Sequence, residues 1–207
     1  MKNLFLLILV TIFFQAPPAK AYYTLLTTGD LLQPHTYKVT GFIQFITDGP
    51  VGTTFNGQLE SYLRDDASLL FSAGVGTHQM VSAAIKWVPI PDLARQPAVG
   101  GVLGIQLGQF KTQLTSQDKA KQQQDFSIFA KTFLSKQFLV EAGEINSFAS
   151  LHLSLQKFKE KTKVPLLLGV GTELKLFAQP KFNFIAELGF NLNQAFSYIS
   201  VGLVFLR

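Results

Sequence analysis

The chain has 207 residues, with 18 Lys and Arg against 13 Asp and Glu, three His and no Cys. A formal charge of +5 is too mild to argue for nucleic acid as a partner. The lack of cysteine removes thiol catalysis, Cys-ligated zinc, iron–sulfur clusters and disulfide staples, so a large hydrogen-bonded framework has to hold the chain.

Residues 1–21 read as a targeting segment. Lys2 gives a positive start, Leu4 to Phe14 is an apolar run, and Ala19-Lys20-Ala21 is a small-x-small site, so cleavage is expected after Ala21. That run is too short to span hydrocarbon as a helix, which takes about 20 residues. Without Lys2 and Lys20, 16 basic and 13 acidic residues remain. No later apolar run suits a membrane helix. Any crossing of a bilayer is therefore expected to use strands, the other element that satisfies its own backbone in lipid. Residues 22–36 hold Gly29 and Pro34, lack alternation, and are expected to be a periplasmic lead-in to a barrel over 37–207.

From Tyr37 onward the dominant pattern has a period of two, the signature of strands with one apolar face. The first strand, Tyr37 to Ile46, sets Val39, Gly41, Ile43 and Phe45 against Lys38, Thr40 and Gln44. Asp48-Gly49-Pro50 turns it. Thr53 to Leu63 sets Phe55, Leu59 and Leu63 against Asn56, Gln58 and Glu60, and Arg64-Asp65-Asp66 turns again. Ser68 to Thr77 and Gln79 to Val88 follow, the latter with Val81, Ile85 and Trp87 opposite Ser82 and Lys86. A proline-rich connection from Pro89 to Pro97 ends that strand, since proline cannot donate into a ladder. Val99 to Phe110 places Leu103, Ile105 and Leu107 opposite Gly104, Gln106 and Gly108.

Lys111 to Asp125 is hydrophilic and expected as a long exposed loop. The sixth strand, Phe126 to about Val140, is the least regular, because Phe129 and Phe133 share a face with Ser127, Lys131 and Ser135. Ser147 to Gln156 is regular, with Leu151, Leu153 and Leu155 against His152, Ser154 and Gln156. A Lys157–Lys163 loop then leads to Pro165–Phe177, where Leu168, Val170 and Leu174 oppose Glu173 and Lys175. Phe182–Phe190 and Ile199–Phe205 form a final hairpin. This predicts an all-β, antiparallel, up-and-down transmembrane β-barrel of about ten strands. Eight or twelve strands are the alternatives, and splitting the sixth strand at Lys136–Gln137 or adding one at Tyr23–Thr28 would change the number.

Two barrel types share this pattern with opposite faces wet. A soluble lipocalin-like barrel turns apolar residues in; a membrane barrel turns them out. Here the apolar face is nearly pure aliphatic and Phe. The other mixes Lys86, His152, Glu173, Lys175 and Glu187 with Gly, Ser and Ala, and only 15% of the chain is charged. That composition suits a lumen in which charges pair. Glu173, Lys175, Glu187, His152 and Lys86 are the expected lumen polar cluster. Tyr37, Tyr62, Trp87, Tyr198 and Phe205 fall near strand ends, where lipid-facing aromatic girdles sit.

In these features the chain resembles the small outer-membrane β-barrel proteins of Gram-negative bacteria, over residues 37–207. The resemblance implies outer-membrane lipid and lipopolysaccharide as surroundings, and the barrel assembly machinery as a partner during biogenesis. In such proteins the last strand commonly ends in an aromatic residue. Ile199, Val201, Leu203 and Phe205 fit the spacing, although Leu206 and Arg207 follow. It further implies a structural, envelope or porin-like narrow-passage role. The other readings are a secreted soluble barrel binding an apolar ligand, and an outer-membrane barrel enzyme.

For an enzyme, His78 at an outer strand end would be the base. No Ser or Asp context accompanies it, and His35, His78 and His152 lack metal-ligand spacing. No catalytic residue, cofactor or metal is expected.

Overall fold

The computed structural model describes residues 25–48, 52–93, 96–112, 121–158, 161–179 and 181–206. The expected targeting segment with its cleavage site, and positions 113–120 of the expected long loop, lie outside them. The strands are β1 (Tyr37–Ile46), β2 (Gly52–Arg64), β3 (Ala67–Gly76), β4 (His78–Ile90), β5 (Ala98–Thr112), β6 (Lys121–Val140), β7 (Gly143–Phe158), β8 (Lys161–Lys163), β9 (Leu166–Leu176), β10 (Asn183–Asn193) and β11 (Tyr198–Leu206). Each wall strand pairs antiparallel with its neighbours in sequence. β1 meets β11 and β6 meets β7, so the sheet closes into a ring. The three-residue β8 pairs only with β7; the other ten strands form the wall.

Alternation decides which side chain goes where. Along β1 the exposure pattern reverses at every residue, with Lys38, Thr40 and Gln44 buried and Val39 and Phe45 exposed. The same holds around the ring: Phe55, Leu103 and Leu155 are 57%, 63% and 52% exposed, while Lys86 and Glu173 are at 0%. Water would favour the reverse arrangement, since an apolar surface that continuous does not remain solvated. Polar inside and apolar outside is the architecture of a membrane-spanning barrel.

The irregular sixth strand now has an explanation. Phe129 and Phe133 do point inward with Ser127, Lys131 and Ser135, while Phe126, Ile128 and Leu134 point out. Directly across the ladder Phe129 faces Gly104 and Phe133 faces Gly100. A Cβ on either glycine would sit within 2.6 Å of the facing ring. The same device recurs with Phe148 over Gly171 and Tyr198 over Gly189. Inward rings thus reach over bare backbone, and Phe129 and Phe133 join Leu25, Leu70, Val88 and Val102 in an apolar cluster inside the barrel.

Three expectations change. Of the expected Lys157–Lys163 loop, Lys157 and Phe158 end β7 and Lys161–Lys163 form β8, which pairs back on it. Lys121 to Asp125 is strand and not loop: it pairs with Gly108–Thr112, so the β5–β6 hairpin stands beyond the apolar band, where hydrogen bonds alone set the structure. More important, residues 25–32 of the expected lead-in do not lie ahead of the barrel. They occupy its interior, with Leu25, Leu26, Thr27 and Thr28 at 3% exposure or less.

Candidate functional site in the barrel interior

An irregular segment inside a barrel brings backbone carbonyls that neither water nor a ladder can satisfy. The wall supplies donors. Lys131 Nζ donates to the Leu25 carbonyl at 2.7 Å, Gln58 Nε2 to that of Leu26 at 2.9 Å, and Lys86 Nζ to that of Asp30 at 2.6 Å. The Asp30 carboxylate accepts from Asn146 Nδ2 at 2.8 Å and lies 3.0 Å from Lys175 Nζ. Asn146 in turn accepts from Ser135. Strands β2, β4, β6, β7 and β9 thus all hold one short stretch of chain.

The lysines that hold the segment are themselves paired. Lys86 lies 2.7 Å from Glu60, Lys131 lies 3.5 Å from Glu187, and Lys175 lies 3.6 Å from Glu144. Lys38 pairs with Glu173 at 2.8 Å, and Asn183 donates to the second oxygen of that carboxylate. Pairs this buried are close to neutral against an apolar replacement, whereas removing one member leaves a lone charge at a cost of about 3–5 kcal/mol. Their effect is to fix position. The half of the lumen away from the chain termini carries fewer charges, with buried Gln44, Thr54, Gln106, Ser154 and Gln156 and the carboxylate of Asp125.

Glu173, Lys175, Glu187, His152 and Lys86 are all interior, but they do not form one cluster. Glu173 is matched with Lys38 from β1, not with Lys175, and Glu187 takes Lys131 from β6. His152 is 1% exposed and packs beside the Phe129 ring, with centroids 5.2 Å apart. No group of three or more His, Cys, Asp or Glu able to hold a metal occurs among the described residues.

At the rim carrying the chain termini, Tyr37, Trp87 and Phe205 are exposed, and Phe182 packs against Phe184 and Phe205 with ring centroids 5.4 and 6.2 Å apart. Tyr62 sits at that rim and donates to Asp65. Asp66 accepts from Arg64 and, at 2.8 Å, from the Trp87 indole N–H. Those two donors, Arg64 first, hold the Asp66 carboxyl below its usual range. Tyr198 is a correction. It is 2% exposed and faces the lumen, because Gly189 opposite leaves space for its ring and Glu187 accepts its hydroxyl at 3.1 Å. Sequence reasoning missed Lys131, masked by the phenylalanines around it, and Asp30, the lone acid of an apolar stretch.

No protein-family model matches the chain, and no curated protein matches it. Similar solved structures include a barrel from the de novo design of transmembrane β-barrels, 12% identical with a TM-score of 0.39, covering 86% of this chain and 100% of the other. Another is the N-terminal β-barrel domain of Pseudomonas aeruginosa OprF, 14% identical with a TM-score of 0.41, covering 82% and 97%. At such scores the membrane assignment rests on the chain's own inverted wall.

Proposed function

We propose that the chain is an integral outer-membrane barrel with a structural role in the envelope, closed at rest by its own segment 25–32. The observation that carries this is the burial of the lumen lining. A water-filled channel leaves its lining accessible, as in wide porins, yet Thr54, Lys86, Gln156 and Glu173 are each at 0% exposure. The near-continuous pairing of interior charges supports a positional use of them and not catalysis.

In this reading the chain is exported, the termini are periplasmic, and the β5–β6 and β7–β8 hairpins at the opposite end face outward. Lys157 and Lys163 then lie at lipopolysaccharide phosphates, an attraction that salt weakens. The outward Phe205 near the end of β11 is read by the assembly machinery.

Planar-bilayer recording of refolded protein tests the closed state. Intact protein is expected to give no porin-scale conductance. A variant lacking residues 22–32 is expected to give discrete steps. Large steady conductance from the intact chain overturns the reading.

A further inference from the structure

The wall has a gap near the rim opposite the chain termini. The β3–β4 ladder ends at Gly74 and Met80. Beyond it, Val75 and Gly76 continue pairing only with β2, and His78 and Gln79 only with β5. Gly76, at φ 141°, takes a conformation other residues rarely adopt. Where the two strands part lies a notch of about 540 Å³, within the usual range for a small-molecule site. Val75, Val81 and Leu107 line it from the membrane side, and Asp125 closes its inner end.

Asp125 is 6% exposed. Among the described residues it has no cation and no side-chain donor, unlike every interior acid described above. Its carboxylate lies over Gly108 so closely that any Cβ there would collide with it. Across Met80, Asn56 Oδ1 lies over Gly74 in the same manner and has no hydrogen-bond donor. The inner boundary therefore offers an anionic acceptor in Asp125, and the outer part offers hydrocarbon. A buried carboxylate without a counter-charge is unfavourable, and the missing complement is a cation bearing an apolar tail.

We propose that this notch binds a single-chain amphiphile with an ammonium head, entering from the membrane, its head on Asp125 and its chain along Val75, Val81 and Leu107. Isothermal titration of the refolded chain in dodecyl maltoside tests it, with decyltrimethylammonium as the probe and decyl sulfate as the anionic control. The cation is expected to show one saturable site above the micelle background, and the sulfate none. Asp125→Asn is expected to weaken the cation about tenfold or more. Val81→Trp, which fills the notch and keeps the carboxylate, is expected to abolish binding. Heat-shifted migration on gels reports whether each variant is a closed barrel. Equal titration of cation and sulfate, or an unchanged constant in Asp125→Asn, overturns the proposal. Should Asp125→Asn fail to fold, unchanged saturation in Val81→Trp does so.

Discussion

At the residue scale, the contact between Asp66 and Trp87 offers a direct handle, because Trp87 is the chain's single tryptophan. Asp66 is held below its usual pKa by Arg64 and Trp87. A depressed carboxylate contributes to stability above its unfolded pKa, and that contribution is lost as pH falls through the folded value. Trp87 emission is thus expected to be flat from neutral pH down to the ordinary carboxylate range and to change only below it. Asp66→Asn should show the acid-form spectrum at neutral pH. A transition of equal size in Asp66→Asn would assign it to another group. Tyr198 illustrates what was legible at this scale. The alternation Tyr198, Ser200, Gly202 already placed it on the lumen face; proximity to a strand end suggested a girdle, and the period of two was the stronger signal.

At the scale of elements, strand pairing turns on which glycines face what. Gly57 of β2 points outward, and a Cβ there meets nothing within 4 Å. Gly104 of β5 points inward, where a Cβ would lie 2.5 Å from that of Ala84 and 2.7 Å from the Ala83 carbonyl oxygen. Gly57→Ala is expected to stabilise the barrel by up to about 1 kcal/mol, by restricting the unfolded chain. Gly104→Ala should destabilise it by about 1–3 kcal/mol through overpacking. Urea titration in lipid vesicles separates the two, and equal effects would refute the inward–outward assignment. The first strand ran from Tyr37 to Ile46 in the sequence as in the structure, since its alternation is unbroken. β6 was harder, because Phe occurs on both of its faces. Which face was which depended on Gly100 and Gly104 one strand away, a pairing that no local pattern contains. Segment 25–32 was unreadable for the same reason: Leu25, Leu26 and Asp30 have no periodicity of their own and are placed by Lys131, Gln58 and Lys86, far along the chain.

For the whole molecule, the inverted distribution of polarity sets the solvent. Leu151 lies mid-strand on β7, outward and 44% exposed. Leu151→Arg is expected to cost about 2–4 kcal/mol when measured in a bilayer, the penalty for a cation near the midplane. A soluble barrel would tolerate that surface change with almost no loss, so folding that is indifferent to Leu151→Arg would sink the membrane assignment. Fold class and the lumen-facing set were legible because period and composition are global properties. The notch between β3 and β4 was not, because it arises where two ladders diverge, and residues 74–80 give no sign of that.

Residues 33–36 join the interior segment to β1 through a tight turn, in which Thr36 N–H and hydroxyl both donate to the Gln33 carbonyl, at 3.1 and 2.7 Å. The filling is thereby tethered to the strand that meets β11. So short a leash keeps the effective concentration of segment 25–32 at the lumen high. If segment 25–32 is the stopper proposed above, completing the ring and stoppering it are expected to be coupled steps of assembly.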